Sequence, residues 1–215
     1  MTTRLSRSLA IGLFVAGAMA HAAPSEAVPV QYGANFYELV LTSDPFPYTG
    51  NTWSAASSAA AASIFLGVSG HLATITSAGE NAFLLSLAPA TTSTFVGAWL
   101  GGTATTTSPP NQPGLWLEGP ETGQTFPYVN WGGIEPNNAG YAFMNIGTGI
   151  NLGADGSILS GQWADDSGVN GTPGSSDPVR GYFIEYESPL RGVPAPATVL
   201  LVALGLGVMA ARRRR

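Results

Sequence analysis

Apolar and polar positions along the chain predict a strand, a helix and a second strand at the start of its body. The segment 36–41 (FYELVL) is rich in aromatic and branched residues, which favours a strand, and 71–75 (HLATI) has the same character. Between them, Thr52 is a suitable N-cap for the alanine-rich segment 53–65. Alanine is the best helix former, so we expect a helix over this segment.

A capping box predicts a second helix. Ser77 and Glu80 are three residues apart, the spacing at which each side chain accepts a hydrogen bond from the backbone N–H of the other residue. The apolar residues that follow share one helical face. They are Phe83, Leu84 and Leu87. A further strand is expected over 95–100.

The second half of the body has little regular pattern. Residues 103–112 form a polar segment with prolines, and short apolar pieces after Gly114 are separated by glycine, proline and asparagine. A strand pattern returns only at 181–187 (GYFIEYE). Two helices followed by a loop-rich half fit neither an alternating βα series nor a sandwich. We predict an α+β fold with an extended functional loop region.

Composition and charge exclude several classes of function. The 215 residues include no cysteine, which excludes disulfide frameworks, zinc fingers and thiol catalysis. Between the basic ends of the chain, two arginines stand against thirteen acidic residues, a net charge of −11. A body with this charge repels phosphate backbones, so we expect no nucleic acid among its partners.

The N-terminus has the pattern of an export signal. Arg4 and Arg7 precede twelve apolar residues at 9–20, and small residues follow. This is the order of a secretory signal peptide, which we predict for residues 1–22. Twelve apolar residues are too few to span about 30 Å of hydrocarbon as a permanent anchor.

The C-terminal residues 192–215 contain Pro194 and Pro196, an apolar stretch at 197–211 and four terminal arginines. This order resembles the PEP-CTERM sorting signal of bacteria, although Ala195 replaces its central glutamate. The resemblance implies transient membrane anchoring through the helix 197–211 and removal of the tail by an exosortase-type processing protease. It also implies a protein that is secreted or held at the outer cell surface of a bacterium.

The segment 131–138 (WGGIEPNN) contains the most distinctive chemistry. Glu135 and Asn137 flank a proline, and a cis Glu135–Pro136 bond would place their side chains side by side. Carboxylate and amide oxygens are ligands that Ca²⁺ prefers, and Asp165 is a third candidate from a neighbouring strand. A Ca²⁺ ion held in this way has spare coordination sites for two vicinal sugar hydroxyls. Taken alone, Glu-Pro-Asn-Asn is also typical of an ordinary surface turn.

The order of motifs between residues 34 and 188 resembles that of the C-type lectin-like domain. Its most specific pieces are GHLATITS at 70–77 and WGGIEPNN at 131–138, followed by Trp163-x-Asp165. The resemblance implies two helices, small antiparallel sheets, a long loop region, and N- and C-terminal strands that pair with each other. Here those strands are 36–41 and 182–187.

The same resemblance implies a site. It assigns carbohydrate binding to Glu135, Asn137, Asn138 and Asp165, and Ca²⁺ coordination to Glu135, Asn137 and Asp165. The Glu-Pro-Asn order accompanies mannose- or glucose-type hydroxyl geometry in sugar-binding members. Ala164 stands where the family has asparagine, and the acidic residue expected soon after Asn138 is missing. An incomplete, weak Ca²⁺ site, a turn without metal and metal-independent recognition all remain open.

We therefore expect an exported carbohydrate-binding protein, weakly calcium-dependent, whose partner is exopolysaccharide. The alternative is a calcium-independent extracellular matrix or adhesion protein that binds protein partners. We expect no enzyme, because no nucleophile–base set is present and the neighbouring Asp165 and Asp166 are badly placed to face each other across a sugar. The five tryptophans are expected in the core, and His71 is expected to be structural.

Overall fold

The computed structural model describes residues 28–42, 52–90, 96–104, 114–137, 140–148, 157–168 and 179–188. Within these ranges it has two helices, α1 (Trp53–Ala62) and α2 (Ala78–Ser86). The strands are β1 (Val30–Tyr32), β2 (Asn35–Leu41), β3 (Ile64–Phe65), β4 (Val68–Ser69), β5 (His71–Leu72), β6 (Gly97–Thr103), β7 (Leu115–Trp116), β8 (Tyr141–Asn145), β9 (Trp163–Asp166) and β10 (Val179–Tyr186). The predicted signal peptide and sorting tail lie outside the described residues.

Eight of the strands form one sheet, in the order β1-β2-β10-β6-β8-β9, with β5 beside β10 and β7 beside β6. The terminal strands β2 and β10 pair antiparallel, as predicted. Small antiparallel sheets were expected: the two-stranded sheet β3–β4 is antiparallel, whereas the large sheet is mixed because β10 pairs in parallel with β6. Since β10 enters between two strands of opposite direction, it is antiparallel to one and parallel to the other. The α+β class is confirmed, together with the two helices and the paired terminal strands.

Helix α1 begins where predicted and ends earlier. The Thr52 hydroxyl accepts a hydrogen bond from the N–H of Ala55 at 3.1 Å, the contact expected of an N-cap. The helix ends at Ala62 rather than at Phe65, because Ile64 and Phe65 form the first strand of the β3–β4 hairpin. The Phe65 ring packs against an aromatic ring on β2 and another on β10, with centroids 5.1 and 5.6 Å away. These contacts favour the hairpin over a longer helix.

The other predicted elements are present with changed bounds. The N-cap of α2 is Ser77, whose hydroxyl accepts a hydrogen bond from the N–H of Glu80 at 3.2 Å. The strand expected over 71–75 keeps only its first two residues as β5, because the N–H of Thr74 donates to the Glu185 side chain instead of a backbone carbonyl. The strand expected over 95–100 is β6, and the strand expected over 181–187 is β10.

Aromatic rings fill the centre of the domain around Trp163. Four rings meet it edge-on, with centroids 5.7 to 6.2 Å away: Trp116, Phe126, Tyr128 and Trp131. The Trp163 Nε1–H donates to Asn81 Oδ1 on α2 at 2.7 Å. Trp99 is also buried. Trp53 is only half-buried, which corrects the expectation for that residue; its ring stacks on Tyr141.

No helix within the described residues is long and apolar enough to cross a membrane. The apolar segment 197–211, for which a membrane helix is expected from the sequence, lies outside those residues.

Candidate functional site

The segment that contains Glu135 is held against strand β9. Residues 131 and 163 form a parallel β-bridge, and the N–H of Gly132 donates to the Trp163 carbonyl at 2.9 Å. In return, the N–H of Trp163 donates to the Asn130 carbonyl at 2.8 Å. A tight turn follows, in which the N–H of Glu135 donates to the Gly132 carbonyl and Gly133 has a φ of +50°. The backbone hydrogen bonds of Trp163 therefore hold residues 130–132, which precede Glu135, against strand β9.

The structure brings Glu135 and Asn137 side by side. The Glu135–Pro136 peptide bond is cis. The Asn137 Nδ2–H donates to Glu135 Oε1 at 3.0 Å. Glu135 is 2% exposed, and Asn137 is half-buried. The carboxylate and the amide thus form one polar unit at the rim of the core.

Asp165 holds the other side of this loop. Its Oδ1 accepts a hydrogen bond from the N–H of Asn137 at 2.8 Å, and its Oδ2 accepts one from the N–H of Gly140 at 2.5 Å. Asp165 is 1% exposed, on strand β9. The carboxylate therefore fixes both ends of the segment 137–140. Asn138, the fourth predicted site residue, lies outside the described residues.

Gly140 lets the loop leave the site close to the backbone of β9. A Cβ at this position would lie 2.0 Å from the carbonyl oxygen of Asp166, a distance that real atoms do not adopt. Strand β8 then begins, and Tyr141 pairs with Asp166 while Ala142 pairs with Asp165. A residue without a side chain is needed at this exit.

The two neighbouring aspartates have different environments. Consecutive side chains of a strand point to opposite faces, so Asp165 and Asp166 do not form a carboxylate pair. Asp166 Oδ1 accepts a hydrogen bond from the N–H of Gly168 at 3.0 Å. Burial raises the pKa of the Asp166 carboxyl, and the hydrogen bond from Gly168 partly offsets this rise. Asp166 therefore supports the end of β9 rather than the loop.

The donor set at Glu135 fits a hard cation in its chemistry. Asn137 Oδ1 is buried and has no hydrogen-bond partner among the described residues, which is the kind of oxygen that a cation coordinates. Glu135 and Asp165 add carboxylate oxygens, which have further acceptor capacity beyond the hydrogen bonds above. Ala164 adds no side-chain oxygen, and it is fully buried in the sheet. The described residues thus offer two carboxylates and one amide, and a Ca²⁺ ion, which takes six to eight oxygens, would need backbone carbonyls or water besides them.

A second polar cluster was not predicted from the sequence. Glu185 lies in the buried strand β10 and is 2% exposed, with its side chain near those of Glu80 and Glu121. We call Tyr37, Thr74, Glu80, Glu121 and Glu185 the Glu185 cluster. One signal in the sequence is the acidic residue in the middle of an otherwise apolar strand, GYFIEYE.

Comparison with solved structures gives matches that include C-type lectin domains. One is the cow carbohydrate-recognition domain of CD23, solved in the presence of a GlcNAc2Man3 oligosaccharide: 19% identity, TM-score 0.47, covering 77% of this chain and 96% of that one. Another is the C-type lectin CEL-I from Cucumaria echinata, with 17% identity, TM-score 0.49, and coverage of 78% and 99%. A third is a calcium-independent type II antifreeze protein, with 17% identity, TM-score 0.46, and coverage of 79% and 98%.

All three likenesses are distant, with identities of 17% to 19%. No family model matches the sequence, and no curated protein matches it either.

Proposed function

We propose that residues 34–188 form a C-type lectin-like module that binds carbohydrate through the loop containing Glu135 and Asn137. One observation supports this most directly: a buried carboxylate and a buried amide oxygen lie together at a loop that is fixed from both sides by Asp165. Such a pair of polar groups can orient the hydroxyl groups of a sugar. Because the loop is already fixed, little conformational entropy is lost on binding.

Ca²⁺ is the cofactor that this donor set favours. Glu135, Asn137 and Asp165 would hold the ion, and the ion would supply coordination sites for two vicinal hydroxyls. Glu135 and Asn137 would also exchange hydrogen bonds with those hydroxyls. With three side-chain ligands the site is weak, about 10⁻⁴ to 10⁻³ M, the range of extracellular modules. The proposed ligand is exopolysaccharide, and no catalytic step is assigned to the site.

A second function is favoured by a different observation. Both Asp165 oxygens already accept backbone hydrogen bonds, so the loop keeps its shape without any ion. A calcium-independent extracellular matrix or adhesion protein that binds protein partners would use the loop in this way. The two functions differ in whether chelation of metal changes the stability of the domain and its binding.

The ends of the chain extend the proposal to its location. Residues 1–22 would direct export, and residues 192–215 would anchor the protein transiently in the membrane until an exosortase-type protease removes them. The protein would then be secreted or remain on the outer surface of a bacterium. Fractionation of cells that express the full-length chain tests this. Uncleaved protein that stays in the membrane fraction would contradict the processing step.

The calcium proposal is tested by melting the purified full-length chain with Ca²⁺ and with a chelator. Binding to the folded state alone stabilises it by RT ln(1 + [Ca²⁺]/Kd), about 2.7 kcal/mol when free Ca²⁺ is a hundredfold above Kd. Glu135→Gln should lose this increase, and Glu38→Gln, on strand β2, should retain it. If no increase is seen at 10 mM Ca²⁺, roughly tenfold above the weak end of the expected range, the metal-dependent function is wrong and the alternative is favoured.

A further inference from the structure

Three carboxyl groups meet through two hydroxyl groups in the Glu185 cluster. Glu185 on β10 lies at its centre, with Glu80 of α2 on one side and Glu121 on the other. The cluster therefore connects the terminal strand pair with the helix and with the segment that follows β7.

The first hydroxyl is that of Tyr37 on β2. It lies 2.5 Å from Glu80 Oε1 and 3.0 Å from Glu185 Oε1. A phenol has one hydrogen, so it donates to only one of these two oxygens at a time. The other contact joins two oxygens and needs a hydrogen from elsewhere.

The second hydroxyl is that of Thr74, directly after β5. Its Oγ1 lies 3.2 Å from Glu185 Oε2 and 3.0 Å from Glu121 Oε2. Here again one hydrogen serves two carboxyl oxygens. Together the two hydroxyls make four short contacts to carboxyl oxygens with two hydrogens, and both shared contacts include Glu185.

Within the described part of the chain, the other groups around Glu185 donate to its own oxygens and supply no hydrogen to these contacts. Asn35 Nδ2–H donates to Glu185 Oε1 at 2.6 Å, and the N–H of Thr74 donates to Glu185 Oε2 at 3.1 Å. His71 faces Glu185 across the β5–β10 pair, and its Nε2 lies 3.7 Å from Glu187 Oε1. Among the described residues, the nearby titratable groups are thus His71, the two tyrosines Tyr32 and Tyr37, which line one cavity with the cluster, and the carboxyls of Glu80, Glu121 and Glu187.

We infer that Glu185 is a neutral carboxylic acid in the folded protein at neutral pH. Loss of its proton at alkaline pH would weaken the pairing of strands β2 and β10. The extra hydrogen lets Glu185 donate to one of the two bridging hydroxyls. That hydroxyl then donates its own hydrogen to Glu80 or to Glu121. Of the four contacts, only one instead of two is then left without a hydrogen.

The burial of the cluster favours this protonation state. Burial raises the pKa of the Glu185 carboxyl, and the charge of Glu80 raises it further; His71 and the hydrogen bonds from Thr74 and Asn35 act in the opposite direction. Burial also raises the pKa of the Tyr37 hydroxyl, and the two neighbouring carboxylates add to this rise. Tyr37 therefore keeps its hydrogen at neutral pH and in mildly alkaline solution.

The sign of the effect on stability follows from linkage. An unfolded glutamate has a pKa of about 4.3, and Glu185 has a higher value in the folded protein. Its contribution is fully present below the unfolded pKa and is lost as the pH rises through the folded pKa. We therefore expect Glu185 to stabilise the strand pair β2–β10 most below about pH 4.3, to contribute less as the pH rises above that value, and to contribute nothing once it ionises in alkaline solution.

The inference is tested by following the carboxyl carbons of glutamate by NMR in the full-length chain during a pH titration. One glutamate should titrate well above its ordinary range, and its signal should be absent in Glu185→Gln but present in Glu38→Gln. The melting temperature of the wild type should fall with rising pH more steeply than that of Glu185→Gln, whose neutral amide replaces the acid.

Two results would overturn it. If every glutamate of the wild type titrates at or below its ordinary pKa, no buried acid is present, and this result needs no variant to fold. If the raised signal is lost in Glu80→Gln and kept in Glu185→Gln, the proton is on the other partner of Tyr37.

Discussion

Asp165 accepts a hydrogen bond from the N–H of Asn137 at 2.8 Å and so joins strand β9 to the loop that contains Glu135. The other Asp165 oxygen binds the N–H of Gly140, which makes this side chain the support of the whole segment. A structural role and the proposed Ca²⁺-binding role therefore meet in Asp165. Variants of Asp165 report mainly on loop structure, whereas variants of Glu135 report on the ligand.

Asp165→Ala should destabilise the domain even when no metal is present. It removes the acceptor of two backbone N–H groups, and an unsatisfied buried donor costs about 1–3 kcal/mol. Asp165→Asn retains one carbonyl acceptor and should cost less. Urea unfolding in the presence of chelator measures both, with Asp166→Asn as the control from the half-buried neighbour. Equal losses for Asp165→Ala and Asp166→Asn would contradict the supporting role.

Gly140→Ala should move the loop. The new methyl group would lie 2.0 Å from the Asp166 carbonyl oxygen, and relief of such overpacking costs about 1–3 kcal/mol. The matched control is Gly123→Ala, where the added methyl meets no atom within 4 Å and the cost is that of a φ of +82°, about 1–2 kcal/mol. Of these two variants, we expect only Gly140→Ala to weaken glycan binding. Unchanged binding affinity in this variant would show that the loop position does not matter.

Trp163→Phe should loosen strand β9 from helix α2. The variant loses the Nε1–H bond to Asn81 Oδ1 and leaves a buried acceptor, at a cost of about 1–3 kcal/mol besides the lost packing. Asn81→Ala removes the same bond from the other side. Because the two changes share one interaction, the double variant should lose less stability than the sum of the single variants. Additive losses in denaturant unfolding would show that the bond contributes nothing.

Local features of the fold could be predicted from the sequence because their partners are close along the chain. Thr52 and Ser77 are N-caps, as expected, since each contacts an N–H three residues later. The end of α1 could not be predicted in this way, because it depends on Phe65, whose ring packs against aromatic rings on strands that are distant along the chain.

In the candidate site, too, only contacts between residues close along the chain could be predicted from the sequence. The adjacency of Glu135 and Asn137 could be foreseen because they are two residues apart. The two backbone hydrogen bonds of Asp165 could not, since they join residues 25 and 28 positions away. The Glu185 cluster was missed for the same reason, because Tyr37 and Glu185 meet only when the terminal strands pair.

The central claim is that the loop with Glu135 and Asn137 binds carbohydrate. It is tested most directly by titrating the purified full-length chain with a mannose- or glucose-rich polysaccharide, with Ca²⁺ and with chelator. We predict saturable binding with Ca²⁺ that falls at least tenfold with chelator or in Glu135→Gln and is unchanged in Glu38→Gln. Binding that is equal in the wild type and in Glu135→Gln, or no binding in either condition, would contradict the account.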